Sequence, residues 1–181
     1  IEKELQSLSD QKLHNIKNYK TLLDEISDYD CFHVLIEQNT LIGYQAGTEL
    51  TVGDGNVAVG ALALDVENQG HKSVAVGYAT LSAQVQGGDV DVYNTAVGYQ
   101  AGLAVVDGLR NTAIGGIALM TDCGNDNTAV GYEAGNQLTG LSNVIIGSYT
   151  GDNATNLESA VIIGAEAGRG VLTGDANGTV L

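Results

Sequence analysis

The sequence predicts a mainly β solenoid preceded by an N-terminal α-helical coiled coil. Three observations predict it. A nine-residue motif recurs in register eight times, residues 1–30 contain neither glycine nor proline, and the composition lacks the large anchors of a globular core. The clearest copies are Asn-Thr-Ala-Val-Gly-Tyr-Gln-Ala-Gly at residues 94–102, the same with Glu for Gln at 127–135, and Asn-Thr-Leu-Ile-Gly-Tyr-Gln-Ala-Gly at 39–47. Their central glycines are Gly98, Gly131 and Gly43, and weaker copies centre on Gly60, Gly77, Gly115, Gly147 and Gly164. The eight glycines are spaced 17, 17, 21, 17, 16, 16 and 17 residues apart. A short fixed period built from strand-like units is the signature of stacked coils. The 181 residues include 25 glycines, no proline, no tryptophan and one phenylalanine. A globular core needs larger side chains. A solenoid does not, because each coil buries its face on the next.

Residues 1–30 read as helix, rich in Leu, Lys, Glu, Gln and Asp. Apolar residues recur at Ile1, Leu5, Leu8, Ile16, Tyr19, Leu23 and Ile26. The wide gap around Lys12 is a stutter in a heptad-like seam, which locally unwinds a supercoil. So narrow a seam suits self-association better than docking on a large core. An amphipathic helix packed on the end of the solenoid is the alternative. Lys12 or Asn15 could set the register of the seam, or Lys12 could snorkel outward. Residues 31–38 form the joint, where alternation of Phe32, Val34 and Ile36 predicts an extended first strand.

Residues 39–181 are the array of about eight repeats of 16–21 residues. Three residues before each glycine stand Thr40, Val57, Val74, Thr95, Thr112, Thr128, Val144 and Val161. One residue before it stand Ile42, Val59, Val76, Val97, Ile114, Val130, Ile146 and Ile163. All are β-branched and favour strand. Between them lie Leu41, Ala58, Ala75, Ala96, Ala113, Ala129, Ile145 and Ile162. Successive strand residues point to opposite faces, so both faces are apolar and both call for burial. One face fills the coil. The other would leave an apolar stripe along the solenoid, and other copies of the chain are the economical cover. Neither the stripe nor the helical seam fixes the number of chains.

Four residues before the glycine come Asn39, Asn56, Asn94, Asn111, Asn127 and Asn143, with Ser73 and Ala160 at the remaining two sites. Asparagine tolerates the left-handed conformation and bonds nearby backbone, so it is expected to turn the corner into the strand and to stack as a ladder. Three residues after the glycine only Ala or Thr occurs, which marks a second tight contact.

The formal net charge of −15 disfavours nucleic acid and anionic membranes as partners. Cys31 and Cys123 show no metal-ligand spacing and support no disulfide framework. No apolar run approaches a transmembrane length. The chain starts at Ile1, without Met, and reads as a piece of a longer polypeptide, so a missing signal peptide carries little weight.

The motif Asn-Thr-Ala-Val-Gly is similar to the Asn-Ser-Val-Ala-Ile-Gly head repeats of YadA-like trimeric autotransporter adhesins. The full form ending Tyr-Gln-Ala-Gly resembles more closely the head repeats of phage and viral fibre proteins. The resemblance covers residues 39–168. It implies a homotrimeric left-handed parallel β-roll at the virion surface, with other virion or fibre proteins and a cell-surface glycan or protein receptor as partners. The alternative it implies is the head of a bacterial trimeric autotransporter adhesin, at the cell surface and binding host matrix or cells. Adhesin heads run into a neck and a C-terminal stalk. Here the coiled coil comes first and no neck is evident, which tilts the reading to the fibre.

No catalytic constellation is expected. His14, His33 and His71 are scattered and read as surface or packing residues. Hexapeptide-repeat acyltransferases would show three Ile/Val-Gly-like steps per coil, and this chain shows one. No cofactor or metal site is expected either: residues 87–91 superficially resemble a Ca²⁺ loop, but hard cations need more oxygen ligands than one unrepeated acidic pair. Ice binding would need flat rows of threonine, and only half of the coils have one. The 21-residue spacing places extra residues in 82–93, a segment carrying Gln86, Asp89, Asp91 and Tyr93. Insertions in solenoids leave the coil as loops, often on the binding face. This loop is therefore the candidate receptor contact, with a neutral decoration as the alternative.

Overall fold

The computed structural model describes residues 38–170 and two short strands beyond them, His33–Val34 and Thr173–Gly174. The coiled coil expected at 1–30 lies outside the described residues. In chain order the strands are β1 (His33–Val34), β2 (Thr40–Ile42), β3 (Val57–Val59), β4 (Gly70–His71), β5 (Val74–Val76), β6 (Val90–Asp91) and β7 (Thr95–Val97). There follow β8 (Thr112–Ile114), β9 (Thr128–Val130), β10 (Val144–Ile146), β11 (Thr155–Leu157), β12 (Val161–Ile163) and β13 (Thr173–Gly174). No helix occurs among the described residues.

The repeat glycine sets the strand. In every copy the three residues before it form a strand, and the eight strands β2, β3, β5, β7, β8, β9, β10 and β12 stack in that order, each pair parallel. Equivalent residues stand opposite one another throughout, from Thr40↔Val57 to Ile146↔Ile163. The long spacing does not disturb this register: Val74 faces Thr95 and Val76 faces Val97. The result is a parallel β-solenoid. At the joint, β1 is extended, but it runs antiparallel to β2 and ends the sheet there. Two shorter pairs, β4 with β6 and β11 with β13, form on other walls.

The middle residue of each stacked strand points into the coil. Ala58, Ala75, Ala96, Ala129 and Ile145 have no exposed surface, and Leu41, Ala113 and Ile162 almost none. Interiors are close-packed, so volume must be conserved coil by coil. It is traded between the strand and the turn after it. Leu41 faces Gly47, where a Cβ would lie 2.7 Å from a Leu41 methyl. Ala58, Ala75 and Ala113 are matched instead by buried Leu64, Leu81 and Leu119 at the equivalent turn position. Ala96 and Ala129, paired with Gly102 and Gly135, draw on Val105 and Leu138 three residues later.

The repeat glycine has two reasons to be glycine. Gly98 has φ +139°, and a Cβ on it would sit 2.5 Å from the carbonyl oxygen of Gly115 in the next coil. Either side chains or the stacking would have to give way. The Ala and Thr residues three positions later are buried at Ala63, Thr80, Ala101, Ala118, Ala134 and Thr150, as tight contact requires.

The asparagine ladder forms. Asn56 N–H donates to Asn39 Oδ1 at 2.8 Å, Asn111 N–H to Asn94 Oδ1 at 2.8 Å, Asn127 N–H to Asn111 Oδ1 at 2.8 Å and Asn143 N–H to Asn127 Oδ1 at 3.0 Å. Most of the amide nitrogens tie the column to backbone carbonyls, as Asn94 Nδ2 does to Gly108 O at 2.7 Å, whereas Asn111 Nδ2 has no hydrogen-bond partner. The left-handed residue at this corner is the one before the ladder position, whether that position holds asparagine, Ser73 or Ala160. Lys72, Tyr93, Arg110, Asp126, Ser142 and Ser159 have φ between 56° and 63°. The sequence reading placed the turn one residue too late. The angle is the same before Ser73 and Ala160, so it belongs to the backbone corner and not to the asparagine side chain.

The second expectation about the strands holds only for one face within a single chain. The residues flanking each buried centre remain half-buried or exposed: Val97, Ile114, Ile146 and Ile163 are all exposed.

Candidate functional site

Two surfaces stand out: the corner under the long loop and the outward face of the stacked strands.

The corner is founded on a buried polar cluster in the coils between Gly60 and Gly98. Here the asparagine column is interrupted by Ser73, whose N–H donates to Asn56 Oδ1 at 2.8 Å but whose own side chain cannot span to the next coil. Gln84 fills the gap. Its Nε2 donates to Ser73 Oγ at 3.1 Å and to Glu67 Oε2 at 2.8 Å, and its Oε1 accepts from Asn94 Nδ2 at 2.9 Å. Glu67, with no exposed surface, turns its other oxygen toward the backbone N–H groups of Asn68 (2.9 Å), Gln69 (3.1 Å), Gly70 (2.8 Å) and Gln86 (3.2 Å). A buried carboxylate is tolerable when its lone pairs are met in this way. Sequence reasoning missed both residues. The available signal was their position: Glu67 and Gln84 occupy the site seven residues after the repeat glycine, where Leu50, Val105, Leu138 and Ala154 are apolar and Asp122 is an exposed exception.

This foundation corrects the picture of the long loop. Residues 82–93 do not leave the coil as a whole. Gln84 and Val92 have no exposed surface, and β6 pairs with β4 in the wall. Gln86, expected on the receptor-facing side, is buried, with its Nε2 donating to Val106 O at 3.2 Å. The backbone demand of Glu67 draws the segment inward. Only the tip projects. Gly87 and Gly88 have nothing within 4 Å of where a Cβ would stand, and the Asp89 side chain is 89% exposed.

Asp89, Asp91 and Tyr93 do gather on one outer corner, with two residues from the coil before. His71 lies between carboxylates: Nδ1 is 2.6 Å from Asp54 Oδ1, and Nε2 is 2.5 Å from Asp89 Oδ1. Burial works against the charged ring, but hydrogen bonds and charge from Asp54 and Asp89 more than offset it and raise its pKa above 6.5. Lys72 Nζ donates to Asp91 Oδ2 at 2.6 Å and stands 5.3 Å from the centre of the Tyr93 ring, a cation–π contact. Tyr93 O–H donates to Asp91 at 3.0 Å. The hydrogen bond from Lys72 lowers the Asp91 pKa and that to Asp91 raises the Lys72 pKa. These groups largely satisfy one another, and half of the Tyr93 surface is left free for contact.

The outward face differs in kind. It carries the sixteen β-branched positions that flank the buried centres, and none of them is charged. Along one side run tyrosines from the position after the glycine: Tyr44, Tyr78, Tyr99 and Tyr132, all exposed. Tyr78 and Tyr99 stack at 5.5 Å, and Tyr132 meets Tyr149 edge-on at 5.3 Å. Carboxylates outnumber cations among the described residues. The three cations among the described residues are each paired with carboxylate: Lys72 as above, Arg110 with Asp126 at 2.6 Å, and Arg169 with Asp152 and Glu166.

Among the described residues no group of three His, Cys, Asp or Glu side chains is placed to hold a metal ion. Cys123 is buried and free, and burial pushes its thiol up to about 12, which makes it a poor nucleophile. No helix among the described residues is long and apolar enough to cross a membrane. Comparison with protein-family models, curated proteins and solved structures finds no match for this chain.

Proposed function

We propose that the chain is a non-enzymatic segment of a viral or phage fibre, assembled as a homotrimer of left-handed β-rolls behind an N-terminal coiled coil. In this reading the outward strand face is the seam between copies, and the corner of Asp89, Asp91 and Tyr93, repeated around the trimer, meets a glycan or protein receptor. One observation carries it. A chain of net charge −15 presents a continuous uncharged, β-branched and aromatic face across all eight stacked strands. Exposed apolar stripes of this length mark association surfaces. Like-charged copies repel everywhere else, and on this face they can approach without bringing carboxylates together. The threefold count and the handedness rest on the resemblance of the repeats, and the seam in residues 1–30 supports parallel association.

Sedimentation equilibrium tests it. The mass should be that of three chains, and Ile114→Glu, which places a charge in the middle of the seam, should lower it. A folded monomer at every concentration would overturn the proposal.

A further inference from the structure

We propose that the solenoid carries a binding slot for one pyranose ring of an uncharged glycan, above Ala61 and between the rings of Tyr44 and Tyr78. The position after the repeat glycine reads Tyr44, Ala61, Tyr78, Tyr99, Gly116 and Tyr132 in successive coils. Coils in register place equivalent residues about 4.8 Å apart along the stack. Where two neighbouring coils both carry tyrosine, the rings pile up: Tyr78 and Tyr99 are 5.5 Å apart and 11° from parallel. The row is therefore a column of rings with gaps where the residue is small.

The two gaps differ. At Gly116 the gap is closed from within the chain, because a Cβ there would meet the Tyr132 ring at 3.3 Å. At Ala61 it is open. Tyr99 covers the far side of Tyr78, and among the described residues no other ring packs on Tyr78 and none packs on Tyr44. Both tyrosines are exposed. Two coil steps separate their positions by about 9.6 Å, so a ring midway would lie about 4.8 Å from each, within the spacing of stacked rings.

The chemistry of the walls and the edge selects the occupant. A pyranose offers C–H groups on its two faces and hydroxyls around its rim. The faces suit two aromatic walls, and the rim suits the phenol O–H groups and the amide of Gln45, exposed beside Tyr44. An acidic sugar finds no free cation: Lys72, Arg110 and Arg169 are all engaged by carboxylates, and the chain carries a net charge of −15. The slot stands at the opposite end of the strands from the corner of Asp89, Asp91 and Tyr93. It rests on the fibre proposed above only in having to stay open within the trimer.

The test is saturation-transfer NMR on the whole chain, with methyl glucoside and methyl galactoside at millimolar concentration as probes and sialic acid as the charged control. Sedimentation equilibrium is run on the same samples. The neutral glycosides should receive saturation and sialic acid should not. Ala61→Tyr, compatible with the fold because tyrosine stands at the same position in the coils on either side, should fill the slot. It should weaken glycoside binding about tenfold or more, as should Tyr44→Ala, since each removes a stacking contact. Tyr132→Ala, which leaves both walls in place, should change nothing. No transfer to either glycoside, transfer that survives Ala61→Tyr, or transfer to sialic acid as strong as to the glycosides would overturn the slot. A fall in mass on Tyr44→Ala would overturn it too, by giving these rings to the seam between copies. A single-chain mass of the unmodified protein with binding intact would overturn the trimer and leave the slot standing, and a three-chain mass without binding would do the reverse.

Discussion

The coils from Asn94 to Ala160 and the coils between Gly60 and Gly98 solve the same packing problem in two ways. In the first region the corner is an unbroken asparagine ladder and the turn after it buries Val105 and Leu138, with Asp122 exposed at the same position of the coil between them. In the second, serine breaks the ladder and a buried Glu67–Gln84 pair stands where the apolar residues would be. Both hold the same strand register. Each coil answers only to its neighbours, so a local departure can be compensated locally. The longer coil follows directly, and its Gln86 N–H donates to Glu67 at 3.2 Å.

The comparison is broken most severely by removing that anchor. Glu67→Ala strips the partner from four backbone N–H groups and the Gln84 amide. It should cost on the order of 4 kcal/mol or more in chemical unfolding, since each stranded buried donor carries its own penalty. In the regular region Asn127→Ala removes one acceptor and one donor of the ladder. A loss of about 2–3 kcal/mol is expected in the same measurement. A smaller effect on Glu67→Ala than on Asn127→Ala would mean that the polar coil is not held as described.

The difference can also be erased. Ser73→Asn alone should destabilise, because Gln84 already occupies the space the new amide needs. Combined with Gln84→Val, the coil approaches the regular type, and a double-mutant cycle should show coupling of about 1 kcal/mol or more in the favourable direction. Strict additivity would contradict the compensation. Volume exchange predicts a similar contrast. Ala113→Leu, opposite buried Leu119, should cost about 1–3 kcal/mol, while the exposed Gln137→Leu should be nearly neutral. The smallest effect belongs to the corner: Ser159→Gly, at φ 56° and exposed, should raise stability by up to about 1 kcal/mol in thermal unfolding.

What the sequence disclosed follows from what repeats. Strand positions, register and the asparagine ladder were legible because the copies average out accidents, whereas which of the two apolar strand faces turns inward was not. The unrepeated parts were not. Gln86 reads as a polar loop residue, and only the backbone donors gathered by Glu67 explain why it turns inward. His71 reads as a lone histidine, because its two carboxylates come from positions 17 residues before and 18 after it, in other coils. The left-handed residue before each ladder position varies in type from Lys72 to Ser159, so its shared conformation left no compositional mark.

The central claim is that the solenoid's outward face is completed by other copies of the chain. Its most direct test is the unfolding midpoint of the unmodified protein across a hundredfold range of concentration. If folding and association are one process, the midpoint must rise with concentration, by mass action. A midpoint independent of concentration, together with the mass of a single chain, would show that the face is stable in water on its own and would contradict the account.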